Sequence, residues 1–207
     1  MRQPLFTIGH SNHSLAHFIL LLRRHGVTAV ADVRSTPYSR RHPHFRQTQL
    51  AEALHATVDI AYVYLGQQLG ARPDDPECFN SDGQVSYARL ASSLSFRNGI
   101  KRVLTGAANH RIALMCVEWD PLQCHRGILL APRLRPEVPG LYHIGPDGEP
   151  ETFEEAEARL LRMHHLPDHG LFDTHAELVL SAYRRQEAAI AWRKGGKAET
   201  EPGAEDC

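Results

Sequence analysis

Cys124, His125 and Arg126 stand in three consecutive positions and together carry the chemistry of a thiolate site. An imidazole takes or returns a proton and a guanidinium supplies fixed positive charge. A thiol beside them becomes a nucleophile or redox group once its pKa falls. The preceding stretch says how they are positioned. Residues 112–117 form an apolar run that reads as a buried strand, which breaks at Asp120-Pro121 before Cys124 opens a second apolar stretch. The expected order is therefore strand, loop and helix start. A helix start presents unpaired N–H groups and partial positive charge, which attract anions and depress the pKa of a thiol placed there.

The remaining elements position the other candidate groups. Residues 5–8 read as a short strand, with His10 and Ser11 just beyond it. Ser14 caps a helix whose Leu15, Phe18, Ile19 and Leu22 share one face and which Gly26 stops. A second strand, 27–33, delivers Asp32 and Arg34. A short helix over about 47–54 leads to a strand at 60–65 and a turn at 69–73 that carries Arg72. Residues 73–84 read as a loop. Two helical segments, about 85–95 and 96–107, lead into the strand containing Cys116, and a helix after Cys124 leads to a strand at 140–144.

Strands alternating with helices predict an α/β fold. The expected form is a three-layer α/β/α sandwich around a mostly parallel sheet of about five strands, with extra C-terminal helices. Residues 1–150 form the main domain on this reading. Residues 151–194 form a helical extension packed on it, and 195–207 a disordered tail without apolar anchors.

Ligands of such sheets bind beyond the carboxyl ends of the strands. His10, Ser11, Asp32, Arg34, Arg72, Glu118, Cys124, His125 and Arg126 all fall there. The segment 34–46 adds Arg40 and Arg41; it holds four arginines and two histidines with no acidic residue. Arginine forks suit phosphate and carboxylate, and Tyr38 and Phe45 offer stacking surfaces. Cys124 is the expected catalytic thiol, with Asp32 and His125 handling protons. His10, Ser11, Arg34, Arg40, Arg41, Arg72, Glu118 and Arg126 are expected to bind substrate.

Other chemistries lack their motifs. Cys116, Cys124, His125 and His10 are metal-ligand types, but no C-x-x-C or H-x-x-x-H pairs them, so no metal or cofactor is expected. Cys116, inside a strand, reads as an inert core residue. The spacing from Cys124 to Arg126 is too short for the phosphate loop of cysteine phosphatases, and no G-x-G-x-x-G or P-loop occurs.

Composition sets further bounds. A net charge of −1 disfavours bulk nucleic-acid binding, although a local basic patch remains compatible with it. With 42% hydrophobic and 23% charged residues, the chain reads as a globular protein, and no apolar run is long enough for a membrane span. Four sparse cysteines and the lack of a signal-peptide pattern predict free thiols and a cytoplasmic location.

Four motifs carry a family resemblance: Thr7-Ile-Gly-His-Ser11, Asp32-Val-Arg-Ser-Thr-Pro-Tyr-Ser-Arg-Arg41, Leu69-Gly-Ala-Arg72, and Leu114-Met-Cys-Val-Glu118 with Cys124-His-Arg126. In this order they resemble the DUF488 family of bacterial and archaeal proteins, over roughly residues 5–145. The resemblance implies a compact α/β domain with a polar pocket built from these motifs, and it supplies no reaction. Ala71 departs from the family's Leu-Gly-Gly-Arg turn, which implies a narrower pocket if that glycine lets a ligand approach.

The combined expectation is an enzyme acting on a small anionic, nucleotide- or nucleobase-like substrate. The alternative is a non-catalytic module that binds nucleotide or nucleic acid through the 34–46 segment. A third reading makes the C-terminal helices a partner interface on a domain that folds without them. Oligomeric state is open.

Overall fold

Strand β4 (Ile112–Cys116) is buried along its whole length, and its side chains divide between two cores. Ile112, Leu114 and Cys116 enter one core, while Ala113 and Met115 enter the other. A strand apolar on both faces has to be covered on both faces. The computed structural model, which describes residues 1–167, 169 and 173–195, shows that cover.

Four further strands run parallel with β4: β1 (Leu5–Gly9), β2 (Ala29–Asp32), β3 (Ala61–Tyr64) and β5 (Leu141–Ile144). β6 (Pro150–Thr152) adds antiparallel to β5, and the order across the sheet is β3-β2-β4-β1-β5-β6. On one face, α1 (Leu15–Arg24) and α2 (Gln47–Val58) contribute Phe18, Leu22, Leu50 and Leu54 to the core. The opposite face is covered by α3 (Gly66–Leu69), α4 (Tyr87–Ser92), α5 (Leu94–Gly106), α6 (Ala131–Leu134), α7 (Phe153–Met163) and α8 (His175–Ile190). The fold is the expected three-layer α/β arrangement.

Connectivity places a crevice at the middle of the sheet. The chain leaves β1 and β2 toward α1 and α2 on one face. It leaves β4, which lies between those two strands, toward α6 on the other. Loops diverge at such a point, which is where open α/β sheets bind ligands.

Helix α1 follows its sequence signals. The Ser14 hydroxyl accepts a hydrogen bond from the His17 amide at 3.2 Å, and Gly26 takes the left-handed turn that ends the helical stretch at φ 62°. Two elements differ from expectation. The sheet has a sixth strand, β6, too short and too polar to show alternation, and it begins with a proline on the sheet edge. The helix after Cys124 opens as a π-helical turn over Arg126–Leu130 before α6. Pro132 has no N–H to donate back to Ile128, which removes one regular α-helical bond there.

The C-terminal helices seat on the loop that feeds Cys124. Both α7 and α8 begin with capping boxes, Thr152 with Glu155 and Thr174 with Glu177. Arg159 of α7 forks onto Asp120 at 2.9 and 3.0 Å and onto Glu151 at 2.7 and 2.9 Å. Gln186 of α8 donates to the Leu122 carbonyl at 2.8 Å. Phe153, Leu160, Leu178 and Ala182 join the same core as β4. The stretch 196–207, which holds nearly all of the expected tail, lies outside the described residues.

Candidate functional site

Strand parity decides which groups meet at the carboxyl edge. Asp32 follows Val30 on the α1/α2 face, whereas Cys116 and Thr7 point to the opposite face. Two polar clusters result, adjoining across the ends of β1, β2 and β4.

The first cluster is built on a buried ion pair. Asp32 is fully buried, and the Arg34 fork meets it with Nε on Oδ1 at 2.9 Å and Nη2 on Oδ2 at 2.6 Å. The Arg34 amide donates to Oδ1 at 3.1 Å and the Tyr62 hydroxyl to Oδ2 at 2.6 Å. Arg34 Nη2 also donates to the Phe45 carbonyl at 2.8 Å, and Nη1 lies 3.2 Å from His10 Nε2. His10 Nδ1 is 3.0 Å from the Ser11 carbonyl, and the ring stacks on Phe45 at 4.3 Å. A neutral His10 with its proton on Nδ1 satisfies both contacts. Burial, then the Arg34 charge, push its pKa down to about 3. Burial, then Asp32, raise the Tyr62 phenol. The network is closed: Asp32 holds Arg34, and Arg34 ties the 34–46 segment to the end of β1.

The second cluster forms where the chain reverses after β4. Asp120 caps a 3-10 turn over Pro121–Gln123 through the Leu122 amide at 2.9 Å, and the chain then returns Cys124 to the end of the strand. His125 Nδ1 lies 3.7 Å from Cys116 Sγ and 3.8 Å from Cys124 Sγ. The Arg126 amide points at Cys124 Sγ at 3.5 Å, so the thiol occupies the place of a helix-capping oxygen. Arg126 is itself fully buried. Its Nη1 donates to the Glu118 carbonyl at 2.5 Å, Nη2 to the Trp119 carbonyl at 2.8 Å and Nε to the Thr7 hydroxyl at 3.3 Å. Thr7 Oγ1 in turn lies 2.7 Å from His143 Nδ1.

Two glycines make this reversal possible. A Cβ on Gly127 would collide with the Pro121 carbonyl, and one on Gly9 with the Glu118 carbonyl.

The electrostatics follow from burial among these partners. Burial alone would raise the Cys124 thiol. A hydrogen bond from Cys116, the Arg126 charge and His125 outweigh it and hold the thiol well below its ordinary value. Cys116 moves the opposite way, raised by its bond to Cys124 and by burial. His125 is raised: burial opposes this, but the hydrogen bond to Cys124 and the charges of Cys124 and Glu118 prevail. Burial, then Cys124, push Glu118 up to about 7. These shifts favour a thiolate on Cys124 beside an imidazolium on His125, with a carboxyl group able to carry a proton near neutrality.

Two buried polar atoms, Glu118 Oε2 and His125 Nε2, have no partner among the described residues. Most buried polar atoms are paired, so these two are positions that a bound molecule's polar groups would satisfy.

The candidate residues thus fall into three groups. Cys124, His125 and Glu118 come together, whereas Asp32, Arg34 and His10 form the separate network, with Ser11 beside it. Arg34 and Arg126 donate to partners within the chain. Arg40 and Arg41 are exposed, and the Arg72 guanidinium lies 5.9 Å from the Trp192 ring centre. Within the 69–73 turn, the position where only glycine fits is Gly70, whose Cβ would strike the Gly66 carbonyl; the neighbouring Ala71 packs on the core. A cavity of about 500 Å³ lies between β2, β3 and α5, lined by Ala31, Val63 and Arg102. It does not include Cys124, which is only 2% exposed.

Sequence reasoning placed Cys116 in the core, and it is buried there, but its sulfur also borders the site. The sequence pattern alone does not single out Thr7, Tyr62, Trp119 or His143 as parts of the site. Thr7 and His143 had a signal: both interrupt apolar strands, and in register they face each other. Trp119 is 56% exposed beside Glu118, a large aromatic surface at the edge.

A family model described as "Domain of unknown function DUF488" matches residues 14–131, more than half of the chain. The chain belongs to the DUF488 family. The DUF488 match runs from the Ser14 cap to the start of α6 and so contains Asp32, Arg34, Cys116, Glu118 and Cys124 through Arg126. Thr7, His10 and Ser11 precede the DUF488 match and His143 follows it. Comparisons with curated proteins and with solved structures gave no match.

Proposed function

We propose that this DUF488 protein is a thiol-dependent enzyme acting on a small anionic substrate of nucleotide or nucleobase type. The observation that carries the reading is the buried Cys124 Sγ 3.8 Å from His125 Nδ1, beside two buried polar atoms without partners among the described residues, Glu118 Oε2 and His125 Nε2. In this reading Cys124 Sγ bonds to an electrophilic atom of the substrate as the bond to the leaving group breaks. His125 supplies the leaving group's proton; water then displaces Cys124 Sγ from the substrate, and the water's proton returns to His125 by way of Glu118, which exchanges a proton near pH 7. Exposed Trp119 and Tyr38 offer stacking faces for a planar ring, and Arg40 and Arg41 supply charge at the rim. Arg34 and Arg126 act through their fields and by holding the loops in place.

Native mass spectrometry of freshly purified protein, followed by titration with nucleotides and free nucleobases, tests the reading. The expected result is a bound small anion that Cys124→Ser retains without turning over. Failure of every such compound to bind would overturn it. A second reading, binding without chemistry, is favoured by the near-closure of the thiol and the exposure of Arg40 and Arg41. It predicts salt-sensitive binding that is lost with Arg40→Ala/Arg41→Ala and unchanged by Cys124→Ser.

A further inference from the structure

We propose that Cys116, Cys124 and His125 form a three-ligand site for a soft divalent cation of the zinc class. The inference uses the thiolate of the proposed reaction but stands on separate geometry. Cys116 Sγ, Cys124 Sγ and a ring nitrogen of His125 all lie within 4.8 Å of one another. A tetrahedral ion with metal–sulfur bonds of about 2.3 Å and a metal–nitrogen bond of about 2.0–2.1 Å sets sulfur and nitrogen about 3.6 Å apart. The observed separations from His125 Nδ1 are 3.7 and 3.8 Å. Both sulfur–nitrogen edges already match a coordination tetrahedron, and the two sulfurs lie within 4.8 Å of each other.

Chemistry and charge agree with the geometry. Two thiolates and an imidazole select zinc-like ions over magnesium or calcium, which take oxygen ligands. Glu118, whose carboxyl interacts with Cys124 and whose Oε2 has no partner among the described residues, is the group at hand for the fourth position. With both cysteines and Glu118 ionised, the divalent cation and the buried Arg126 guanidinium balance the charge, which is what a site this deeply buried requires. Arg126 and the Gly127 close approach fix the loop that carries Cys124 and His125, so the ligands are held before metal arrives.

The sequence concealed this site because its cysteines are separated by a strand end, a loop and a 3-10 turn, not paired as C-x-x-C. Binding places the metal on the sulfur that the proposed reaction uses, so metal and alkylating reagents compete for Cys124.

Titration of chelator-treated, reduced full-length protein with cobalt(II) tests the proposal. The expected result is one cobalt per chain, with thiolate-to-cobalt charge-transfer absorption and the intense visible bands of a tetrahedral site, displaced by zinc. Loss of an outer-sphere partner costs about 10–100-fold in affinity. Cys116→Ser and Cys124→Ser, each losing a direct ligand, should therefore weaken binding by more than about 100-fold. Cys78→Ser and Cys207→Ser should change nothing, and zinc should block alkylation of Cys124. Absence of charge-transfer absorption, or cobalt affinity equal in wild type and Cys116→Ser, overturns the site. Far-ultraviolet circular dichroism identifies any variant that has merely unfolded, and His125→Asn then supplies the ligand test. Cys124 reactivity and nucleotide binding are read on metal-free protein, so failure of the metal site is distinguishable from failure of the enzymatic reading.

Discussion

Removal of both members of the Asp32–Arg34 pair should cost far less than the two single removals added together. Both side chains are at most 3% exposed. Arg34→Met leaves the Asp32 carboxylate buried with only the Tyr62 hydroxyl and a backbone amide, and it strips the Phe45 carbonyl of its donor. Breaking a buried pair by removing one partner costs about 3–5 kcal/mol, because an uncompensated charge stays inside. With a urea dependence of about 3 kcal/mol per molar, the midpoint should fall by about 1–2 M. Asp32→Leu should cost a similar amount. The double variant removes both charges together, so it should be less damaging than the sum of the singles by at least about 2 kcal/mol. Urea unfolding of the four proteins, followed by fluorescence and circular dichroism, measures the cycle. Additive energies, with a coupling below about 0.5 kcal/mol, would refute the reasoning that this cluster is a mutually dependent scaffold.

Three other outcomes follow from the same contacts. Burial, then the Arg126 charge, hold His143 down to about 3 from 6.5, so the unfolded chain takes up its proton first as pH falls. The stability this contributes is complete above pH 6.5 and is lost toward pH 3, about 5 kcal/mol in all. His143→Gln should therefore flatten the stability-versus-pH slope by about 1.4 kcal/mol per unit in that window, and parallel wild-type and variant slopes would contradict it. Gly127→Ala drives a methyl into the Pro121 carbonyl and should cost about 1–3 kcal/mol, with slower alkylation of Cys124; unchanged melting and labelling would contradict it. A chain ending at residue 150 loses Phe153, Leu160, Leu178 and Ala182 from the core and the Arg159 clamp on Asp120, so it should lack a cooperative thermal transition. A sharp transition in that fragment would favour the separable interface instead.

The fold was readable because its signals are local. Ser14 and Gly26 bound α1, and the two-sided apolar run ending at Cys116 could only be an interior strand. β6 carried no such signal: three half-polar residues are defined by β5 beside them and not by their own pattern. The site was legible as a location, since every carboxyl-edge segment was named from its polar residues. Its division into two clusters was not, because it depends on which face Asp32 and Cys116 point to relative to neighbouring strands. Nor could sequence show that Arg34 and Arg126, which look like ligand-binding residues, donate to Asp32, Phe45 and the carbonyls of Glu118 and Trp119. By sequence Cys116 is a core residue, because it lies within a strand. Only the reversal through Asp120-Pro121 brings Cys124 and His125 onto its sulfur.

The central claim is that Cys124 is a thiolate at neutral pH, and the pH profile of its alkylation tests this most directly. Metal-free protein is treated briefly with iodoacetamide from pH 5 to 10, and labelling at each cysteine is read by peptide mass spectrometry. Restricted access of the reagent slows every rate but does not move a midpoint. Cys78, raised by burial and by Asp75 and Glu77, serves as the internal reference. The account predicts a Cys124 midpoint well below the value of about 8.5 for a free thiol, with Cys78 above it. A Cys124 midpoint at or above that of Cys78 would contradict the account.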